Sequence, residues 1–236
     1  MDRPRSPDRG GALSLSKDEK GLVGRPSPIA HSEVRYLMRL KGEKVIIRPM
    51  VREDMKKMQA WRPFTDPLDV LLNGSRHHSD INIWFREQVS DPSRQWYAIE
   101  DFAGRLIGRL SLRQIVGRKS ARLGITLAPD YLGQGYGTDA IRTFLAYYFR
   151  ELGFEILYLD VAAPNRRAIR CYEKCGFKLI GSHYRGIGSD KRLAFLRDEK
   201  YRDIRHFFKK RWGRNVVLFY DMKIEKEDLK LQMTIE

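Results

Sequence analysis

The spacing of hydrophobic positions changes several times along the chain, and each change marks an element. Val45-Ile46-Ile47-Arg48-Pro49 reads as a strand, and Arg52 to Trp61 as a short amphipathic helix with Met55 and Met58 on one side. Ile81, Trp84, Phe85 and Gln88 fall at helical spacing after a Ser79-Asp80 cap, predicting a helix from Asp80 to about Val89. Between these two, Thr65 to Ser79 carries Pro, Asn-Gly and Ser signals and is expected to be a loop. Trp96 to Glu100, a turn at Asp101-Phe102-Ala103-Gly104, and Leu106 to Ile115 predict a hairpin. It meets a third strand, Ser120 to Leu127, to make an antiparallel meander.

After Pro129 the period becomes 3.6. Ala140, Ile141, Phe144, Leu145 and Tyr148 form the apolar stripe of a helix ending near Leu152-Gly153. A buried strand is expected at Ile156 to Val161, a helix from Arg166 to Lys174 stopped by Gly176, and a strand from Phe177 to about Tyr184. This order implies a parallel crossover in a mixed sheet. From Arg185 to Arg214 basic residues interleave with Phe195, Tyr201, Phe207 and Phe208, which reads as one or two helices before a last strand, Val216 to Met222. The first 30 or so residues are rich in Pro, Ser, Gly and Arg and cannot bury a face. The expected organisation is a disordered basic tail (1–40), one domain (41–224) with a basic helical insertion (186–214), and a C-terminal tail (225–236).

Composition narrows the class. The 236 residues are 42% hydrophobic, enough for one sizeable core. No run approaches the roughly 18 apolar residues of a membrane helix. Met1 to Pro7 is followed by no signal-like apolar segment, so a cytoplasmic location and no membrane association are expected. Two cysteines, Cys171 and Cys175, are too few for a disulfide framework or a zinc site, so no metal is implied and they read as small core or half-buried residues. The formal charge of +15 attracts polyanions, whether nucleic acid, the ribosome, acidic membranes or a phosphorylated cofactor, without choosing among them.

Two segments carry chemistry. In Pro129 to Ala140 three alternate glycines, Gly133, Gly135 and Gly137, join a strand to a helix. Such a loop lets backbone approach a ligand, and the free amides at the positive helix end suit a pyrophosphate. It lacks the Lys-Ser/Thr pair of a Walker loop, and it follows an antiparallel meander where a dinucleotide fingerprint would open a βαβ array. The second segment runs from Asn165-Arg166-Arg167-Ala168 through Tyr172-Glu173 to Gly176-Phe177.

Together these segments closely resemble the GNAT superfamily of N-acetyltransferases, and the loop looks most like the branch that acetylates ribosomal protein N-termini. The resemblance implies a mixed α/β (α+β) fold: a mostly antiparallel central sheet flanked by helices, binding acetyl-CoA. It implies that backbone groups of Ile125, Thr126 and Leu127 pair with the pantetheine arm. Leu132, Gly133, Gln134, Gly135, Tyr136, Gly137 and Thr138 would form the pyrophosphate loop, and Asn165 would bond near the pantetheine. Tyr172 would protonate the departing thiolate, and Asp160 would be the general base, with Glu100 as a second candidate. Two departures stand out: Arg122 replaces a glutamate common in relatives of this branch, and Leu132 replaces the usual Arg or Gln opening the loop. His77 and His78 fall near where the family forms its acceptor site. The implied acceptor is a primary amine, either a protein N-terminus or lysine, possessed by a ribosomal or other protein, or a small amine such as a polyamine or aminoglycoside. The net charge favours the peptide amine. A non-catalytic acyl-CoA-sensing or RNA-associated module, docking RNA or ribosomes through the basic surface, is the alternative of a different class.

Overall fold

A computed structural model describes residues 38–73 and 81–229, and within them one nine-stranded sheet organises the chain. Its strands are β1 (Leu40–Lys41), β2 (Val45–Pro49), β3 (Gln95–Asp101), β4 (Leu106–Val116), β5 (Ser120–Leu127), β6 (Ile156–Ala162), β7 (Lys178–Gly188), β8 (Phe208–Arg211) and β9 (Arg214–Glu225). The helices are α1 (Arg52–Gln59), α2 (Pro67–Asn73), α3 (Ile81–Ser90), α4 (Tyr136–Arg150) and α5 (Arg166–Lys174). The strand order is β1-β2-β3-β4-β5-β6-β9-β7, with β8 also paired to β9. Every pairing is antiparallel except β5 with β6, which α4 connects as the crossover. No described helix is long and apolar enough to cross a membrane.

The stripe read from sequence on α4 is its buried face: Ala140, Ile141, Phe144, Leu145 and Tyr148 join one core cluster with Leu110, Leu112, Leu157 and Leu159 from the sheet. Phe144 meets Tyr97 edge-on at 4.9 Å, and Tyr148 stacks on Phe154 at 4.4 Å. The Tyr148 hydroxyl donates to the Ile156 carbonyl at 2.8 Å, so this buried phenol has the partner its burial requires. Residues alternate along β4 and β6. The apolar positions face α4, which leaves Arg109, Ser111 and Arg113, and on β6 Asp160, for the opposite face.

Two expectations change. The segment from Thr65 expected as loop contains α2, which begins as a capped helix should: Asp66 Oδ1 accepts from the Leu68 amide at 2.9 Å, and Pro67 takes the first helical position. The remainder of that segment, with His77, His78 and the Ser79-Asp80 cap, lies outside the described residues, as do residues 1–37 of the expected tail and residues 230–236. The basic segment expected as helices instead extends β7 to Gly188, makes 3₁₀ turns at Asp190–Arg197 and Glu199–Phe207, and returns as β8 in a hairpin on β9. Asp198 interrupts it, its side chain accepting from the Lys200 amide at 2.9 Å. Phe195 packs edge-on to Tyr201 at 4.8 Å, so these aromatics close a small local cluster.

Beneath α1 a buried ionic hub joins helix to sheet. Arg48 donates two 2.7 Å bonds to Asp54, whose side chain is fully buried, and bonds of 2.9 and 2.7 Å to Glu100 Oε1. Asp54 Oδ2 also accepts from the Val51 amide at 2.9 Å, closing the start of α1. Removing the guanidinium takes the principal cation from two buried carboxylates, so Arg48→Ala is expected to cost about 3–5 kcal/mol. Urea unfolding followed by circular dichroism measures this, and a midpoint equal to the parent's would show that the hub contributes little.

Candidate acyl-CoA site

β5 and β6 pair only at Ser120↔Ile156, Ala121↔Leu157 and Arg122↔Tyr158, and their recorded pairing ends there. Beyond it β5 continues through Leu123–Leu127 on β4, while β6 continues through Leu159–Ala162 on β9. The strands splay, and the β6-facing edge of β5 opens onto a cavity of about 600 Å³. Backbone groups on an open edge need partners, so this edge is suited to an extended amide-bearing ligand.

The glycine loop closes one end of the cavity. Gly133 and Gly135 have φ of +74° and +88°, conformations that side chains other than glycine's adopt at a cost, and Gly135 is the N-cap of α4. A Cβ on Gly137 would stand 3.5 Å from Leu127 and 3.6 Å from Cys171 Sγ, so the first turn of α4 lies close against β5 and α5. Asp139 fixes that turn: its carboxylate accepts from the backbone amides of Glu43, Lys44 and Val45 at 3.0, 2.8 and 3.1 Å. Gly42 makes this approach possible, since a Cβ there would lie 2.6 Å from Asp139 Oδ2. The same clamp brings Lys44 Nζ to the Gln134 carbonyl at 3.1 Å. The helix-end amides and this ammonium suit a diphosphate, and Arg170 and Lys174 add positive charge to the cavity wall. The approach of Lys44 to this loop is not legible in the sequence, which does not reveal that Asp139 draws it there.

α5 supplies the next wall. Asn165 caps it, Oδ1 accepting from the Ala168 amide at 3.1 Å, and Tyr172 one face later lines the cavity with little exposure. Burial, aided by the nearby Cys171 and Asp160, pushes the Tyr172 phenol above its ordinary range, so it keeps its proton at neutral pH. Cys175 is buried and Cys171 half-buried, as their spacing suggested. Cys171 Sγ lies 3.3 Å from Thr138 Oγ1, and hydrogen bonding from Cys175 and then Thr138 lowers this thiol to about 7.

On the opposite sheet face, Asp160 is the centre of a closed polar ring. It accepts from Arg122 at 2.9 Å and from Arg185 at 2.8 Å. Arg122 also reaches Asp221 at 3.5 Å, Asp221 bonds His183 Nδ1 at 2.8 Å, and His183 Nε2 returns to Arg185 at 3.2 Å. Burial pushes the Asp160 carboxyl upward, but Arg185 and Arg122 outweigh it and hold the group below its usual range.

Of the residues singled out in the sequence, Ile125, Thr126, Leu127, Leu132, Gly133, Gly135, Gly137, Thr138, Asp160, Asn165 and Tyr172 all line the one cavity. Gln134 and Tyr136 do not line it. Gln134 donates to the Asp130 carbonyl at 2.6 Å, and Tyr136 packs edge-on against Tyr131 at 5.2 Å. Glu100 also lies elsewhere, held by Arg48 and by Arg39 at 3.3 Å. Residues not foreseen include Trp96, Arg109, Ser111, Arg113, Arg185 and Phe219. A family profile described as an acetyltransferase (GNAT) domain matches residues 44–178, more than half of the chain.

The chain belongs to the GNAT acetyltransferase family.

Among curated GNAT relatives, a spermidine N(1)-acetyltransferase of Vibrio cholerae is 33% identical over 94 residues, covering 39% of this chain and 54% of that enzyme. An aminoglycoside N(6')-acetyltransferase type 1 of Klebsiella pneumoniae is 39% identical over 51 residues, covering 22% of this chain and 25% of that enzyme. The matched stretch thus spans about half the length of the first of these relatives and a quarter of the second. A solved spermidine N-acetyltransferase from Vibrio cholerae, in complex with CoA and spermine, superposes with a TM-score of 0.59 at 20% identity, over 79% of this chain and 98% of that one. That likeness concerns the GNAT fold.

Gly135→Asp adds a side chain at φ +88° and a negative charge where phosphate would meet the helix amides. Its affinity for coenzyme A is expected to fall by about a hundredfold or more, roughly 3 kcal/mol. Calorimetry on the variant, with circular dichroism to check folding, measures it. Unchanged affinity in a folded variant would remove the loop from the site.

Proposed function

We propose that the chain transfers the acetyl group of acetyl-CoA directly to the primary amine of a small molecule. The observation that carries this reading is the convergence on one cavity of the α4 glycine loop, the open edge of β5 and the buried Tyr172. The loop amides and Lys44 would hold the diphosphate, Ile125 to Leu127 the pantetheine amides, and Asn165 would donate from its amide nitrogen, since its oxygen is used in capping α5. The curated relatives named for spermidine and aminoglycosides support a small amine in place of the protein N-terminus or lysine suggested by the loop sequence.

In this reading Tyr172, kept protonated by burial, donates to the sulfur as the tetrahedral intermediate collapses. Asp160 is a positioning residue. Two guanidinium groups make it a poor base, so it fixes Arg122 and Arg185 on the wall while the ammonium proton leaves through water in the cavity. Most of the rate gain comes from holding thioester and amine in line.

Tyr172→Phe is expected to leave CoA affinity unchanged and lower kcat by roughly tenfold to a thousandfold. A thiol-release assay with acetyl-CoA and a panel of amines measures this. Equal rates in both forms, under conditions where chemistry limits, would make Tyr172 a packing residue. No thiol release with any amine would favour a non-catalytic acyl-CoA-binding module.

A second reading concerns the basic hairpin, for which one observation speaks: Trp212, at the turn between β8 and β9, is 96% exposed, flanked by Lys209, Lys210, Arg211 and Arg214. An exposed indole among cations suits stacking on an unpaired base beside phosphates, and supports docking of RNA or ribosomes. Lys209 and Arg211 also lie over the Tyr184 ring at 5.4 and 4.1 Å, and Lys210 pairs with Asp190 at 3.2 Å, which accounts for part of this charge internally. Replacing Lys209, Lys210 and Arg211 with Ala is expected to flatten the log-log salt dependence of RNA binding by ~0.7–0.9 per lost contact, with CoA binding intact. Filter binding at varied salt tests it, and a parent that binds no RNA at moderate salt would end the idea.

A further inference from the structure

The acceptor half of the cavity is cationic, and this bears on which amine it takes. Arg109, Ser111 and Arg113 follow one another on the cavity-facing side of β4, opposite Thr126, Gly124 and Arg122 of β5. They therefore stand beside the stretch of β5 that would carry the pantetheine and the thioester. Gly124 keeps this floor open, since a Cβ there would lie 2.8 Å from Ser111 Oγ and 3.6 Å from Arg113 Nη2. Arg113 Nε is buried and has no hydrogen-bond partner. The Arg109 guanidinium lies 5.0 Å from the centre of the Trp96 ring. Across the cavity stands Arg185, 4.1 Å from the Phe219 ring.

Among the described lining residues the one carboxylate is Asp160, and it is already engaged by Arg122 and Arg185 at 2.9 and 2.8 Å. A polyamine entering here would meet like charges with no free carboxylate to offset its lost hydration. An anion would meet the reverse. Burial and then the neighbouring Arg113 pull the Arg109 guanidinium down to about 10, which an anion beside it would oppose. Guanidinium forks pair carboxylate and phosphate oxygens in parallel, and Arg109 and Arg113 both line this cavity.

Building on the acetyl-transfer reading, we propose that the acceptor is an amine that also carries a carboxylate or phosphate, docked on Arg109 and Arg113 of β4. The anion takes no part in the chemistry. The neutral amine nitrogen bonds to the acetyl carbonyl carbon, the carbon–sulfur bond breaks, the thiolate takes one proton from Tyr172, and the proton that the nitrogen loses returns through solvent to the Tyr172 phenolate. The net products are an amide and coenzyme A.

Calorimetry on the full chain saturated with coenzyme A tests the inference, using glutamate, glucosamine 6-phosphate and spermidine as probes. At least one anionic amine is expected to bind about tenfold or more tighter than spermidine, and the stronger of the two arms identifies carboxylate or phosphate as the preferred anion. Arg113→Gln is expected to erase about tenfold of that preference with CoA affinity unchanged, and Arg113→Lys, which keeps the charge but loses the fork, to fall between. Tighter binding of spermidine by the parent, or an anion preference untouched in both folded variants, would overturn the proposal. Thiol release from acetyl-CoA with the same three amines reads the acetyl-transfer step separately. Turnover that favours spermidine leaves transfer standing and removes the anion, whereas anion-selective binding with no turnover does the opposite.

Discussion

The parting of β5 and β6 after three paired residues is the constraint on which the rest of the site depends. A parallel pair that stayed in register to its end would satisfy its own backbone and leave no edge for a ligand. Here β6 gives its full length to β9, from Ile156↔Glu225 to Ala162↔Phe219, while β5 keeps β4. The resulting gap stays open because α4 spans the far side of the sheet, filling the core with Ile141, Phe144 and Tyr148. Core packing on one face thus holds open a polar cleft at the strand ends.

Two electrostatic devices set the walls of that cleft. Asp139 gathers three backbone amides of the β2 approach onto the first turn of α4, and in doing so carries Lys44 to the glycine loop. A carboxylate at that helix end also interacts favourably with the dipole, so one residue both stiffens the loop and ties it to the sheet. On the other side, Asp160 and Asp221 distribute themselves between Arg122, Arg185 and His183. Such a ring keeps its charges satisfied within a half-buried wall, at the cost of a carboxylate that would otherwise accept a proton readily. The arginines of β4, Arg109 and Arg113, lie outside that ring and line the same cavity.

Much of the fold was legible in the sequence. The stripe on α4, the β3–β4–β5 meander and the stop at Gly176 follow from local periodicity and turn chemistry. The basic stretch between β7 and β9 departs from its helical reading because Phe195, Tyr201, Phe207 and Phe208 mimic an amphipathic spacing. In the structure Asp198 breaks the run, and β8 finds its partner on β9, a pairing with no local signal. The short helix α2 was hidden behind loop-forming residues, although Asp66-Pro67 is a recognisable start.

By itself the sequence determined the family-bearing features: a glycine loop before a helix, and the Asn165 to Phe177 segment with Tyr172, because those depend on backbone freedom and on residue order within one or two elements. Only the tertiary structure decided what surrounds them. Arg122, Asp160, Arg185 and Asp221 come from four different strands, and Lys44 meets its loop from 90 residues away. Charge in a cavity depends on which faces of which strands meet there, so a formal +15 could announce cations but could not say that Arg109 and Arg113 would line this cavity.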